Sequence, residues 1–395
     1  MLRKFNGDQL FNGNEMLDAD RVLITEEDGT IVEITNRDAA GDGVEKFDGI
    51  LSPGWINGHC HLELSHLKGV IPPHTGLIDF LCSVVTKRDF DPRMKQDAIA
   101  DGELEMDQNG IMAVGDICNT TDAIATKRRS RIIWDSFIEV LSFTDAGADN
   151  AMQHYGQVFR KHKEDLEWPN QNILTPHAPY SISPLTFDLL NAATAGHTIS
   201  IHNQEHPAED ELYKTGGGDL LKLFAIFGVT QSPFPVTGKS SLRSWLPHFK
   251  NGQTILLVHN TYMPEEDIDF ARQWADDNSL NLVYCLCINA NLYIENKTPP
   301  VDLFRKKNCK IILGTDSYSS NWQLDICKEV FSMQENFPHV PLAEIMRWGT
   351  LNGAEALSLE QSLGSFYKGK KPGVILIDHI RDGRLTAESR SRRLV

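Results

Sequence analysis

Eight times along this chain an apolar run of strand length stops on a polar residue, gives way to a loop, and is followed by a helical pattern. The runs are "ILSPGWINGHCH", "GIMAVGDICN", "RIIWDSFIEV", "NILTPHAPYS", "HTISIHNQE", "TILLVHNTY", "NLVYCLCINA" and "KIILGTDSYS". Helical stretches such as "PEEDIDFARQWADD" and "PLAEIMRWGTLNGAEAL" accompany them. Repeated βα units of this kind predict an α/β fold, a (β/α)8 TIM-like barrel spanning residues 53–359. A doubly wound open sheet is the rival. It is disfavoured because no GxGxxG follows the first strand, and because polar residues recur at the strand C-termini, where barrel active sites lie.

The two chain ends read differently. Residues 1–52 carry short β signals, "RVLITEEDGTIVEIT" and "VEKFDGIL", with Asp28 and Gly29 supplying a hairpin turn. Residues 360–395 return to short β runs punctuated by Gly and Pro. The expectation is one small β-sandwich formed by both termini.

With 395 residues, 41% of them hydrophobic, the chain can bury one large core. Its net charge of -16 excludes the basic footprint that a nucleic acid polymer requires. The seven cysteines are scattered, without a CxxC pair, which predicts a reduced, cytoplasmic protein. No apolar h-region follows Arg3 and Lys4, and no stretch approaches 18 apolar residues, so neither a signal peptide nor a membrane partner is expected. "GKS" at 238–240 is not a P-loop, since Pro233 stands where the first glycine would. It reads as part of a long βα loop, and the segments 62–90 and 230–250 are expected to set specificity.

His59 and His61, two apart in an extended strand, project from the same face and can offer ring nitrogens to one metal ion. Alone they are as consistent with strand-end histidines that hydrogen-bond locally. His202, His259 and Asp316 each end another run, and a closed barrel would bring all five together. Glu205, three residues after His202, sits where metal-assisted hydrolysis needs an acid/base carboxylate.

These motifs in order, "PGWINGHCHLELS", "PHAPYSIS", "IHNQE", "VHNT" and "GTDS", make the chain resemble the amidohydrolase superfamily, in its cytosine deaminase, chlorohydrolase and adenosylhomocysteine deaminase branch. The resemblance covers nearly the whole chain. It implies that His59, His61, His202 and Asp316 bind a single divalent metal, that Glu205 shuttles protons, and that His259 orients the attacking hydroxide or polarises the reacting carbon. Asp316 would accept the proton of the attacking water. His177 in "PHAPY" matches a substrate-facing position. "NILTPHAPYS" lacks the lysine of binuclear relatives, which favours one metal. Zinc is preferred, and iron also suits the nitrogen and oxygen donors.

The implied activity is deamination of an amino-substituted heterocycle, such as an adenosine, adenosylhomocysteine or aminofutalosine derivative. Alternatives are hydrolysis of a ring amide, or of a carbon-halogen or carbon-nitrogen bond on a triazine- or pyrimidine-like ring. A non-catalytic metal-binding protein on the same barrel is the alternative from another class. A homodimer would be unsurprising, because symmetric dimers are the commonest oligomers.

Other residues keep plainer readings. Glu63 is assigned to substrate binding, against a salt bridge or a bond behind a ligand histidine. His66, His74, His206 and His248 read as loop or surface residues. Cys60, Cys285 and Cys287 read as buried hydrophobes. Asn289 and Asn291 would border the site and offer amide contacts to a substrate, and Arg88 and Arg243 read as solvated surface cations.

Overall fold

The computed structural model describes residues 2–167 and 170–395. Two four-stranded parallel sheets form its centre. One holds β1 (Trp55–Cys60), β2 (Ile111–Cys118), β3 (Ile133–Val140) and β4 (Gln171–Pro176), side by side in chain order. The other holds β5 (Thr198–Asn203), β6 (Thr254–His259), β7 (Asn281–Leu286) and β8 (Lys310–Leu313), also in chain order. All eight residues of β2 are buried, as expected for a parallel strand covered on both faces.

Backbone bonds link the strand ends across the two sheets. The His202 amide donates to the His177 carbonyl at 3.0 Å, and the amides of Thr315 and Asp316 both donate to His59 O at 3.0 Å. Ile117, Phe137, Val258, Cys285 and Ile312, drawn from both sheets, pack in one core cluster.

Helices lie between the strands. Glu265–Asn278 forms because Ile268, Ala271 and Ala275 recur on one buried stripe. Three acidic residues occupy its first turn, where the helix dipole favours negative charge. Left-handed Ser279 ends it. The stretch "PLAEIMRWGTLNGAEAL" is two helices rather than one, Leu342–Trp348 and Leu351–Ala356. The helix gives way at Thr350, whose φ of -131° and ψ of -94° are not helical, directly after Gly349. The Gly349 carbonyl accepts from the Ile56 amide at 2.8 Å, and a Cβ added there would meet Ile326 at 3.0 Å.

The chain ends share hydrogen-bonded sheet. Val374–Ile377 pairs antiparallel with Ile50–Pro53, which also pairs with Gln9–Phe11. The first strand-like run therefore splits at Gly54, with Ile50–Pro53 in this sheet and Trp55–Cys60 in the parallel one. Arg21–Glu26 and Ile31–Asn36 pair antiparallel in a second terminal sheet. Between them Asp28 Oδ1 accepts from the Thr30 amide and hydroxyl, and Gly29 has φ +85°. Phe5, Leu23 and Ile31 of one terminal sheet and Leu10, Leu51 and Leu376 of the other bury in one cluster.

Asp135 on β3 tests the interior directly. It is buried, its Oδ1 has no hydrogen-bond partner, and burial pushes its pKa up to about 8. Because this lies above the unfolded carboxylate value, the folded state holds the proton more tightly. The Asp135 contribution is thus full in acid and falls as pH rises toward 8. Asp135→Asn removes that fall, so its unfolding temperature should exceed that of the wild type increasingly from pH 5 to pH 8. The corresponding difference in stability should reach on the order of a few kcal/mol. Parallel melting temperatures across this range would refute the assignment.

Candidate active site

A bulge turns the first two histidines to their shared face. On β1, Asn57 pairs with Val114 but Cys60 with Asp116, so β1 carries one extra residue there. Ile56 belongs to the cluster common to both sheets, and simple alternation from it would turn Gly58 and Cys60 the same way. The extra residue reverses the alternation. Cys60 instead packs on the other side, among Leu62, Met106 and Trp134.

His59, His61 and His202 place ring nitrogens within 4.8 Å of one another. His61 Nε2 and His202 Nε2 stand 3.3 Å apart, and Asp316 Oδ1 lies 3.5 Å from His61 Nε2 and 3.8 Å from His59 Nε2. Two donors about 2.1 Å from one zinc ion in tetrahedral array are about 3.4 Å apart, so this donor set fits one cation. His59 is fully buried, and neither of its ring nitrogens has a hydrogen-bond partner. His202 Nδ1 faces the His177 carbonyl at 2.8 Å, which turns Nε2 toward the cluster. Asp316 Oδ2 accepts from Ser320 at 2.6 Å, leaving Oδ1 to the histidines. Burial, then the neighbouring imidazoles, holds His59 well below the usual histidine range, and burial lowers His61 to about 4.

His259 and Asp316 both adopt positive φ, 70° and 57°, uncommon outside glycine and typical of functional strand ends. Gln204, beside Glu205, has φ 45°. Glu209 braces that turn, accepting from the Gln204 amide at 3.0 Å and the Glu205 amide at 2.7 Å.

Glu205 Oε1 sits 3.2 Å from His259 Nε2. Burial, reinforced by Asp316, holds the Glu205 carboxyl well above the ordinary range, a state in which it can carry a proton. Asn291 donates through Nδ2 to Thr261, so its Oδ1 faces His259 Nδ1 at 3.3 Å and leaves Nε2 free toward Glu205. Asn291 thus orients His259 from behind, whereas the sequence suggested substrate contact. Tyr180 OH donates to Glu205 Oε2 at 3.5 Å.

A cavity opens beside these groups and is also lined by His177, Glu63, Glu139 and Arg88. His177 Nδ1 lies 2.6 Å from Ser181 Oγ, and burial lowers its pKa to about 4. Burial pushes Glu63 up to about 7. Arg88 is at the cavity wall and not a free surface cation, whereas Arg243 pairs with Asp267 at 2.6 Å outside the lining. His66, His74, His206 and His248 do not line the cavity.

The 62–90 segment supplies much of the wall, but 230–250 supplies none of it. Phe234 is drawn instead into a cluster with Tyr213 and Phe224, and Leu223 and Phe227 face the cavity in place of the expected loop. Glu139 and Tyr180 escaped the sequence reading. Glu139 nearly ends β3 as His202 and His259 end theirs, a signal of the same kind.

Residues 50–389 match the amidohydrolase family, and the chain belongs to it. It is 23% identical over 346 residues to a 5-methylthioadenosine/S-adenosylhomocysteine deaminase of Thermodesulfovibrio yellowstonii, covering 83% of this chain and 72% of that protein. It is 26% identical over 338 residues to an aminodeoxyfutalosine deaminase of Nitratiruptor sp., covering 83% and 79%. Among solved structures it shares the fold of Helicobacter pylori aminofutalosine deaminase in complex with methylthio-coformycin. There the TM-score is 0.79, with 18% identity over 100% of both chains.

Proposed function

We propose that this chain is a metal-dependent aminohydrolase that deaminates an amino-substituted heterocycle of the purine nucleoside kind. The observation that carries the reading is the Glu205–His259 pair, 3.2 Å apart, in the same cavity as His61, His202 and Asp316. In this reading the two parallel sheets are the halves of a closed eight-stranded barrel at residues 53–359. Residues 1–52 and 360–395 form a β-sandwich beside it. Seven cysteines without a disulfide and the absence, among the described residues, of any helix long and apolar enough to cross a membrane support a cytoplasmic location.

His59, His61, His202 and Asp316 would hold one divalent ion, zinc by preference, which when bound lowers the pKa of water and supplies Lewis acidity. Asp316 Oδ1 is placed to accept a proton from the attacking water. Protonated Glu205 donates to the ring nitrogen next to the reacting carbon, and His259, held by Asn291, stabilises charge beside it. The proton taken up by Asp316 then passes to the exocyclic amine, the carbon-nitrogen bond breaks to release ammonia, and the remaining hydroxyl proton returns to Glu205 as the ring carbonyl forms. His177 and Glu63 line the substrate space. The test is ammonia release by the zinc-loaded protein across adenosine, 5′-deoxyadenosine, 5′-methylthioadenosine, guanine, cytosine and an aminotriazine, with halide release from a chlorotriazine measured in parallel. Turnover is expected with at least one adenosine derivative. Silence across every amine, or halide release from a chlorotriazine alone, would overturn the deaminase reading.

A further inference from the structure

The geometry points to Glu139 as a specificity-determining acceptor, whose Oε1 takes a hydrogen bond from a hydroxyl on the non-reacting part of the substrate. This rests on the deaminase reading for the identity of the reacting ring. Glu139 is 4% exposed and lies on the same face of β3 as Phe137, which packs in the core common to both sheets. Leu141, the next residue on that face, lines the cavity with it.

The two oxygens of Glu139 are not equivalent. Oε2 accepts from Asn119 Nδ2 at 3.3 Å, and Asn119 Oδ1 in turn accepts from Arg88 at 3.3 Å. Oε1 has no hydrogen-bond partner. Its nearest candidate donors, His177 Nε2 and His202 Nδ1, both stand at 3.8 Å, and His202 Nδ1 is already committed to the His177 carbonyl. Asn119, itself held by Arg88, thus binds the carboxylate through Oε2, and Oε1 is left buried and unpartnered in a residue that lines the cavity.

Glu63, the other acid in that wall, is the contrast. Its oxygens accept from the Asn119 amide at 3.2 Å, the Thr120 amide at 3.1 Å and the Thr120 hydroxyl at 2.8 Å. Glu63 is satisfied by the loop that follows β2, whereas a buried carboxylate oxygen without a donor is costly until a ligand supplies one. A carboxylate can only accept, so the matching ligand group is a donor. Away from the histidines the wall is largely apolar, with Phe80, Leu81, Val84, Phe143, Leu223 and Phe227 facing the space. A hydroxyl entering there finds its polar partner at Glu139, beside His177.

The experiment uses the zinc-loaded full chain, wild type, Glu139→Gln and Glu139→Ala. It measures kcat and KM for adenosine, 2′-deoxyadenosine, 3′-deoxyadenosine and 2′,3′-dideoxyadenosine. It also measures equilibrium binding of purine riboside and its dideoxy counterpart, which carry no amine to lose, and metal content. The wild type should favour the hydroxyl-bearing compounds by about 10- to 100-fold, mostly through KM and binding. Glu139→Ala should collapse that ratio to within about threefold, with metal content unchanged. Glu139→Gln keeps the side-chain shape and should lie between the two, which separates lost recognition from lost folding. A ratio equal in the wild type and Glu139→Ala overturns the proposal, and so does loss of bound metal in Glu139→Ala. If nothing is deaminated but purine riboside still binds in a Glu139-dependent way, the deaminase reading fails and this inference stands.

Discussion

Glu205→Gln should lower kcat by about 10²- to 10⁴-fold, the usual contribution of a positioned acid/base group. Metal content should stay at the wild-type level. The change is nearly isosteric and keeps an acceptor toward Tyr180, so the side chain remains in place while it loses its proton chemistry. His259 Nε2, 3.2 Å from Glu205 Oε1, would then face an amide. The measurement is ammonia release with the best substrate of the panel, alongside metal analysis of the same sample. Undiminished turnover would remove Glu205 from the mechanism. Parallel loss of metal would make it a ligand in its own right.

Much of this site is legible in the sequence because parallel strands buried on both faces read as unbroken apolar runs. A polar residue at the end of such a run stands out. His202, His259 and Asp316 stand out in this way, and the two parallel sheets bring their strand ends together. Glu139 obeys the same rule, yet "FIEV" closes with a valine behind it and the run does not visibly stop. The orientation of His59 and His61 was less accessible. Alternation from Ile56 points the wrong way, and only pairing with β2 reveals the bulge that corrects it.

Long-range electrostatics were not legible at all. Lys127 lies in "IATKRRS", which reads as a charged surface turn, yet it is 1% exposed. Its Nζ sits 2.6 Å from Asp116 Oδ2, and Asp116 Oδ1 accepts from the Leu62 amide at 2.8 Å. That ion pair fixes the backbone directly after His61. Nothing at the level of sequence couples residues 62, 116 and 127. The specificity segment was misjudged for a related reason. By its place in a long βα loop the segment reads as substrate-facing, but Phe234 packs against Tyr213 and Phe224 in a cluster whose Leu223 and Tyr180 line the cavity, while Phe234 itself does not.

Metal removal should have the second large effect. Stripping the protein with a chelator should abolish turnover and lower the unfolding temperature, and zinc added back at about 100 times its Kd should restore about 2.7 kcal/mol. His59 supplies the reason, since it is fully buried with both ring nitrogens unpartnered until an ion engages one of them. His59→Ala should lose most of the zinc-dependent rise. The metal-free protein should also be acid-sensitive. The folded-state pKa of His61, about 4, lies below the unfolded value of about 6.5. Its contribution is therefore present above pH 6.5 and is lost as pH falls toward 4, because the unfolded chain takes up the proton first. His59 and His202, also held well below the usual histidine range by burial and by the neighbouring imidazoles, steepen the same loss. Melting curves of stripped and zinc-loaded protein from pH 7 to pH 4.5 check both statements. Equal unfolding temperatures with and without zinc at pH 7 would mean that these histidines do not hold an ion.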